Sequence, residues 1–178
     1  MWKTCSAQES GSSARALVRV AHAHDGLLVL NDRPDIAVAA GADGAHLGQD
    51  DLPIRFAREL LGPDRVLGAS ASYLPELSIA IDEGADYLGF GAVFPTATKS
   101  DAEFAGLDLF EAACKQSTVP VVGIGGIDEA RAPLVMRRGA AGVAVVSALF
   151  RAPSPVAAAR SLLAATAEPG RAFVVPQK

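Results

Sequence analysis

The sequence is poor in the residue types that mark several classes of protein. Of its 178 residues only 6% are aromatic and two are cysteines, and 16 lysines and arginines face 20 aspartates and glutamates, for a net charge of −4. Because there is no excess of positive charge, a nucleic-acid partner is not expected. Cys5 and Cys114 match no metal-binding spacing and predict free thiols in a reducing compartment.

Long apolar runs are also missing. No apolar segment reaches the roughly 20 residues that a membrane-spanning helix requires, and the polar start MWKTCSAQESGSS lacks the apolar centre of a signal peptide. We therefore expect a cytoplasmic protein with no membrane partner. What the chain does contain is 50% hydrophobic residues, enough to bury a sizeable core.

A loose internal repeat indicates alternating helices and strands. The segments AAGADGAHLGQDD, DEGADYLGFGAVF and RRGAAGVAVVSAL each place Gly-Ala after a helical pattern and before a short apolar run. Gly41, Gly84 and Gly139 stand where a helix commonly ends in a left-handed residue. Runs of this kind suit strands buried on both faces. They predict six strands, at Leu27–Asn31, Gly44–Leu47, Val66–Ser70, Tyr87–Gly91, Val119–Ile124 and Gly142–Val146.

Helical patterns separate these runs, and the alternation predicts a parallel sheet. Two of the helices are expected to begin at Asp51-Pro53 and Asp128-Glu129. We expect residues 1–150 to form the domain that carries the site, and residues 151–178 to add a C-terminal helix and a loose tail to that domain.

Two architectures are compatible with such a sheet, a doubly wound open sheet and a (β/α)₈ barrel. An open sheet gathers its polar residues at one switch point, whereas a barrel uses the ends of many strands. Here every predicted strand ends in small, polar or charged residues, which favours the barrel. These residues are Asn31 and Asp32; Gln49, Asp50 and Asp51; Ser70 and Ser72; Thr96, Thr98 and Lys99; Gly125 and Gly126; and Ser147.

Each cluster also has a purely structural interpretation. The run from Asn31 to Pro34 is compatible with a simple turn and helix cap. Asp50 and Asp51 precede a helix and are compatible with a cap as well as a metal site. The glycine pair is compatible with close packing alone. These alternatives stay open on the local sequence.

The functional interpretation combines the clusters into one site for two anionic groups. Because neighbouring strands lie about 4.8 Å apart, Asp32 and Asp51 can share a hard cation such as Mg²⁺. The glycine pair in GIGGID is predicted to place backbone N–H groups at a helix N-terminus, where a phosphate binds. Val146-Ser147 would complete this phosphate cup, and Lys99 with the two threonines adds a charge and hydroxyl donors.

Taken together, these motifs resemble those of the thiamine-phosphate synthase family. The matching segments, in order, are NDR, GADGAHLGQDD, LGAS, GADYLGFGAVFPTATKSD, VVGIGGI and GVAVVSAL, and the resemblance covers about residues 15–150. The resemblance implies a (β/α)₈ barrel. It also implies an enzyme that joins 4-amino-5-hydroxymethyl-2-methylpyrimidine diphosphate to 4-methyl-5-(2-phosphoethyl)-thiazole and releases pyrophosphate.

The resemblance also implies a role for each matching residue. Asp32 and Asp51 would hold Mg²⁺, and the pyrimidine diphosphate and the thiazole phosphate would each have a set of binding residues. The implied mechanism breaks the C–O bond to pyrophosphate early and leaves a pyrimidine cation that the thiazole nitrogen captures. Lys99 and Ser70 are the expected catalytic residues. The diphosphate contacts would be Asn31, Ser70 and Lys99, and the thiazole phosphate contacts Thr96, Ala97, Thr98, Gly126, Val146 and Ser147.

Two departures from the family pattern keep alternatives open. The family starts with a strand, a helix and a strand ending in a Gln-x-Arg-x-Lys-like motif, of which Lys3 is the expected remnant. We therefore expect a barrel without its first β-α-β unit, whose open edges make a homo-oligomer plausible. Second, a histidine that the related thiazole tautomerases use for proton transfer is replaced by Ser72. A tautomerase-like paralogue and a non-catalytic binder of thiazole or thiamine phosphate are the alternatives.

The remaining histidines and the second cysteine are expected to be structural. His22 and His24 lie on the first predicted helix and are expected at the surface. His46 alternates within a short strand and is expected to pack there, and Cys114 is expected in the core.

Overall fold

The computed structural model describes residues 7–96 and 104–167. Along the chain these residues belong to two compact units, with bounds Met1–Ala69 plus Asp82–Asp86 for unit 1 and Ser70–Ile81 plus Tyr87–Lys178 for unit 2. The predicted boundary at residue 150 stays a prediction. Cys5, Lys3 and the predicted tail lie outside the described residues.

Unit 1 is built from parallel strands joined by helices. In the strand register Val29 pairs with Gly44, and Gly44 in turn pairs with Val66. Its core contains the fully buried side chains of Leu47, Leu61 and Leu67. The elements are α1 (Ala7–His22), β1 (Val29–Asn31), α2 (Pro34–Ala40), β2 (Gly44–Leu47), α3 (Ile54–Leu61) and the start of β3 (Val66–Ala71).

Unit 2 repeats the same parallel arrangement with its own core. Leu88 pairs with Val121, and Val122 pairs with Gly142. The rings of Phe90 and Phe110 are fully buried and lie 6.3 Å apart between centroids. The elements are α4 (Leu74–Asp82), β4 (Tyr87–Phe90), α5 (Gly106–Gln116), β5 (Val121–Ile124), α6 (Ala132–Arg137), β6 (Gly142–Ala144), α7 (Ser147–Phe150) and α8 (Pro155–Thr166).

The strand order in the sheet is the order along the chain, from β1 to β6. A doubly wound sheet reverses its strand order at a switch point, and within the described residues the order never reverses. The expected fold class is therefore confirmed: an α/β fold of the TIM-barrel type with six parallel strands. None of the described helices combines the length and the apolar character that crossing a membrane would need.

The strand bounds differ from the predicted ones by up to two residues, for local reasons. The first strand begins at Val29 rather than Leu27, since the Leu28 N–H donates to the Asp43 carboxylate (2.7 Å). The fifth begins after Pro120, which has no N–H to donate to a ladder. The sixth ends at Ala144 because Val146 is already the N-cap of α7.

The glycines of the repeat have the predicted conformation. Gly41, Gly84 and Gly139 have φ angles of 74°, 101° and 97°, which lie in the left-handed region that only glycine enters without strain. Each copy of the sequence repeat therefore corresponds to the end of a helix followed by a strand.

One of the two predicted helix starts is wrong. Helix α3 begins at Ile54, next to the predicted start. Helix α6 begins only at Ala132, because residues 128–131 form a turn in which the Arg131 N–H donates to Asp128 Oδ1 (2.9 Å). The glycine pair at 125–126 is thus separated from the helix that was expected to start beside it.

The histidines and Cys114 have structural surroundings. His22 and His24 are exposed as predicted, and His22 Nε2 lies 3.0 Å from the Asp43 carboxylate. His46 is half-buried in β2. Among the described residues Cys114 takes part in no disulfide, and it is half-buried rather than part of the core.

A single arginine connects two loops of unit 1, the one before β3 and the one before β4. Arg58 Nη1 donates to the carbonyl oxygens of Gly62 (2.9 Å) and Arg65 (2.8 Å), and Nε and Nη2 both donate to that of Gly84 (3.3 and 3.0 Å). Nη2 also donates to the Asp86 carboxylate. The planar guanidinium serves all these acceptors at once, which a lysine ammonium cannot do.

We expect Arg58→Lys to lower the free energy of unfolding by about 2–3 kcal/mol, because partly buried acceptors lose charge-assisted hydrogen bonds. Urea denaturation of the two proteins measures the difference. Arg55→Lys, at an exposed position of the same helix, is the matched control, with an expected loss below about 0.5 kcal/mol. Equal stability of the Arg58 variant and the wild type would contradict this role.

Candidate active site

The first acidic loop of unit 1 starts directly at the end of β1. The Asp32 N–H donates to the carbonyl oxygen of His46 in β2 (2.9 Å), so this loop turns over the end of the neighbouring strand. Asp32 has a φ of 63°, and the Asn31 side-chain amide donates to its carboxylate. Both side chains are exposed. Asp32 does not cap α2, whose N-cap residue is Arg33 with no side-chain cap bond.

The second acidic loop follows β2 and holds Asp51. Its Oδ2 accepts a hydrogen bond from the Gly48 N–H (2.7 Å), and the side chain is half-buried. The N-cap of α3 is Pro53, with no side-chain cap bond. The capping interpretation of Asp51 is therefore wrong, since its carboxylate folds back over its own loop. Asp50, beside it, is exposed.

An ion pair stabilises the loop after Asp32. Arg33 Nε and Nη2 donate to the two carboxylate oxygens of Asp35 (2.8 and 2.6 Å). The hydrogen bonds from Arg33 lower the pKa of the Asp35 carboxyl. Asp35 therefore stays ionised, with both of its oxygens bonded to Arg33. The arginine is thereby held toward α2.

The donor set of the two acidic loops fits Mg²⁺. Among the described residues no three histidine, cysteine or acidic side chains gather as a metal-binding group. Mg²⁺ in proteins typically takes only one or two carboxylates and completes its shell with water and substrate phosphates. Asp32 and Asp51 carry carboxylate oxygens, the hard donor type that Mg²⁺ prefers, on loops that follow two adjacent parallel strands.

In unit 2 the end of β3 contributes two serines with different environments. Ser70 is half-buried, and it lies inside β3, which extends one residue beyond the predicted end. Ser72 Oγ donates to the carbonyl oxygen of Gly91 (3.0 Å), and the Ser72 N–H donates to the Glu76 carboxylate (2.7 Å). Ser72 therefore joins the β3 end to the loop after β4.

The glycine pair after β5 lies against the loop after β4. The Val93 N–H donates to the Ile124 carbonyl (2.9 Å), and the Phe94 N–H donates to the Gly125 carbonyl (3.1 Å). Gly126 has a φ of 62°, and a Cβ atom placed on it would lie 2.6 Å from the Pro95 carbonyl oxygen. Only glycine allows this close approach. The pair does allow close packing, while its expected place at a helix N-terminus is wrong.

Arg131, which the sequence analysis did not single out, holds the same two loops. Its Nη1 donates to the Gly126 carbonyl oxygen (2.7 Å), and its guanidinium carbon lies 5.0 Å from the centroid of the Phe94 ring. No local sequence pattern predicts this contact, because Arg131 lies in an ordinary polar turn before α6.

The other predicted phosphate-binding residues follow β4 and β6. Thr96 is half-buried in the loop after β4. Val146 is 51% exposed, and Ser147 is the first residue of α7, so that its N–H lies in the turn whose amides lack intrahelical acceptors. The predicted contacts Ala97, Thr98 and Lys99 lie outside the described residues.

Comparison with known proteins identifies a family and several relatives of this chain. The profile of the family described as thiamine monophosphate synthase matches residues 2–149. A thiamine biosynthesis bifunctional protein ThiM/ThiE from Symbiobacterium thermophilum is 53% identical over 152 residues, which are 84% of this chain and 32% of that protein. A thiamine-phosphate synthase from Chlorobium luteolum is 45% identical over 163 residues, which are 91% of this chain and 77% of that protein.

Solved structures give the same result for the fold. Thiamine phosphate pyrophosphorylase from Pyrococcus furiosus is similar with a TM-score of 0.86 and 36% identity, covering 92% of this chain and 79% of that one. A 3-hexulose-6-phosphate synthase is similar with a TM-score of 0.68 at 22% identity, which supports the fold alone. The chain thus spans about a third of the bifunctional relative and about four fifths of the solved one.

Proposed function

This chain belongs to the thiamine monophosphate synthase family, and we propose from this premise that it joins a pyrimidine diphosphate to a thiazole phosphate. The substrates would be 4-amino-5-hydroxymethyl-2-methylpyrimidine diphosphate and 4-methyl-5-(2-phosphoethyl)-thiazole. The products would be thiamine phosphate and pyrophosphate, which makes the chain a transferase of thiamine biosynthesis acting in the cytoplasm.

The observation that carries the proposal is the hydrogen bond from the Asp32 N–H to His46 O (2.9 Å). It turns the loop with Asp32 over the end of β2, and the loop with Asp51 begins one residue beyond that strand. Two carboxylates thus follow the carboxyl ends of neighbouring strands, the end of a barrel-type sheet where catalytic residues lie. This placement supports a site for a diphosphate bound through a divalent cation.

Asp32 and Asp51 would hold Mg²⁺. When bound, the ion supplies positive charge that stabilises the negative charge developing on a departing pyrophosphate. The Gly48 N–H bond to Asp51 Oδ2 fixes one oxygen of this carboxylate and orients the other. This carboxylate would therefore be held in place before the ion binds.

The chain's own polar residues would bind the pyrimidine diphosphate and balance its charge. Asn31, Ser70 and Lys99 would contact the diphosphate, and Lys99 would stabilise the leaving group electrostatically. The C–O bond to pyrophosphate would break first, and the thiazole nitrogen would then attack the resulting pyrimidine cation. No activated nucleophile on the protein is needed for this sequence, because alignment of the two substrates supplies the rest.

The loops of unit 2 would bind the phosphate of the thiazole. Backbone N–H groups near Gly126 and at Val146-Ser147 suit an anion, since such amides point at a ligand without adding a competing charge. The hydroxyls of Thr96 and Thr98 and the backbone at Ala97 would complete the cup.

The tautomerase alternative is not favoured. The position where the tautomerases have a histidine is Ser72, and its hydroxyl donates to the Gly91 carbonyl. A serine held in this way does not replace an imidazole as a proton shuttle near neutral pH. The relative from Chlorobium luteolum named above is a thiamine-phosphate synthase. A homo-oligomer remains part of the proposal, and size-exclusion chromatography with light scattering tests it.

Turnover with both substrates tests the proposal directly. We expect thiamine phosphate and pyrophosphate to form in equal amounts, only with Mg²⁺ present. Calorimetry with each substrate alone separates synthesis from binding. Binding of the thiazole phosphate without binding of the pyrimidine diphosphate, and without turnover, would instead support a non-catalytic binder.

A further inference from the structure

We propose that Arg131 is the positioning residue of the thiazole phosphate cup. It would lock the glycine loop after β5 against the loop after β4, so that the cup exists before the substrate arrives. The inference rests on the proposed function, because it assigns a role to Arg131 within that site. Arg131 itself would not touch either substrate.

The contacts of one guanidinium group carry the proposal. Nη1 donates to Gly126 O at 2.7 Å, and the guanidinium carbon Cζ lies over the Phe94 ring, 5.0 Å from its centroid. The Arg131 N–H donates to Asp128 Oδ1 (2.9 Å), and Arg131 Nε lies 3.9 Å from Asp128 Oδ2. The side chain is therefore held at its base by the turn before α6 while its end spans two loops.

The hydrogen bond to Gly126 also sets the direction of the next amide. In a trans peptide the carbonyl oxygen and the following N–H point to opposite sides. With Gly126 O held by Arg131, the Ile127 N–H points away from the guanidinium. Within the described parts of the chain no hydrogen bond from this N–H is found, and the proposal assigns it to an anion on the other side of the loop.

The Arg131 contacts are needed because side chains pack little where the two loops meet. The approach of Gly126 to Pro95 leaves no room for a Cβ, so the glycine contributes no packing surface of its own. Glycine also gains the most conformational freedom when it is released. A bridge between Gly126 and Phe94 restricts this freedom and lowers the ordering cost that phosphate binding would otherwise incur.

Three variants test the proposal in the full chain with both substrates and Mg²⁺. Arg131→Ala removes the bridge, and Arg131→Lys keeps the positive charge but not a planar group that can stack and donate together. Arg137→Ala is the matched control, since Arg137 is an exposed arginine on the neighbouring helix α6.

We expect Arg131→Ala to raise KM for the thiazole phosphate about tenfold, with KM for the pyrimidine diphosphate unchanged and kcat within about threefold. Arg131→Lys should raise the same KM by about half as much on a logarithmic scale. The Arg137 variant should match the wild type. Wild-type KM values in Arg131→Ala would overturn the proposal, as would a lysine variant that binds thiazole phosphate like the wild type.

A double-mutant cycle tests whether the Phe94 ring takes part. If Arg131 acts through the ring, Phe94→Leu and Arg131→Ala should be less than additive in log KM for the thiazole phosphate. Strict additivity would overturn the bridging part of the proposal.

Amide hydrogen exchange gives a readout that needs no turnover. Exchange at Val93 and Phe94, whose N–H groups donate to the carbonyl oxygens of Ile124 and Gly125, should be about tenfold faster in Arg131→Ala than in the wild type and in Arg137→Ala. If the wild type lacks synthase activity while this difference is present, the proposed function fails and the lock stands. If turnover is normal and exchange is unchanged, the lock fails and the proposed function stands.

Discussion

Asp51→Asn is expected to lower Mg²⁺-dependent kcat/KM by about 10²- to 10³-fold, the largest effect of any single substitution on turnover. The physical reason is that asparagine keeps the shape of the side chain but removes the negative charge that would hold the ion. Its amide oxygen can still accept from the Gly48 N–H, so the loop should keep its fold. The change therefore isolates charge from structure.

The control for this prediction is the preceding residue. Asp50 is exposed, and Asp50→Asn removes the same charge one position away, so kcat/KM should stay within about twofold of the wild type. Steady-state kinetics over a range of Mg²⁺ concentrations measures both variants. If Asp51→Asn turned over like the wild type, or if the two asparagine variants lost activity equally, the two-carboxylate assignment would be wrong.

Gly126→Ala is expected to have the second largest effect and to act on both stability and binding. The φ of 62° is unfavourable for alanine, and its Cβ would lie 2.6 Å from Pro95 O and 2.9 Å from Phe94 O. Strain and overpacking together should lower the free energy of unfolding by about 2–4 kcal/mol. Moving the loops apart to relieve the clash should weaken thiazole phosphate binding by about 10²-fold.

A second glycine of unit 2 provides the comparison for Gly126. A Cβ on Gly142 would meet no atom within 4 Å, so Gly142→Ala should change stability by less than about 1 kcal/mol and leave binding unchanged. Thermal unfolding and calorimetry with the thiazole phosphate measure both quantities. Normal binding in a folded Gly126→Ala protein would remove the glycine loop from the proposed cup.

The two expected effects have different origins in the molecule. The loss at Asp51 is electrostatic and should weaken substrate turnover at every temperature where the protein is folded. The loss at Gly126 is steric, and it should appear in stability before any ligand is added. Measuring stability and kinetics on the same preparations separates the two.

The periodic features of the fold could be predicted from the sequence. Alternating helical patterns and apolar runs indicated six parallel strands, and polar residues after every strand favoured a barrel over an open sheet. The chain order of the strands confirms this choice. Gly41, Gly84 and Gly139 marked helix ends correctly because a left-handed backbone and the residue that tolerates it are both local properties.

Local patterns were misleading where a residue's role depends on a contact. Asp51 precedes a helix and has the pattern of a cap, yet its carboxylate accepts from Gly48. Gly125 and Gly126 have the pattern of a phosphate loop at a helix start, yet α6 begins at Ala132. In both cases a hydrogen bond within the loop replaces the expected cap. The Gly48 N–H binds the Asp51 carboxylate, and the Arg131 N–H binds Asp128 Oδ1 in the turn before α6.

What the sequence by itself determined is therefore the succession of elements, the fold class and the chemical types available at each strand end. Only the tertiary structure decided that Gly126 lies against Pro95 and that Arg131 holds this junction through Phe94. The physical reason is that burial periodicity and backbone preference act over a few neighbouring residues. The approach of two loops depends instead on how their strands pair, which no local pattern encodes.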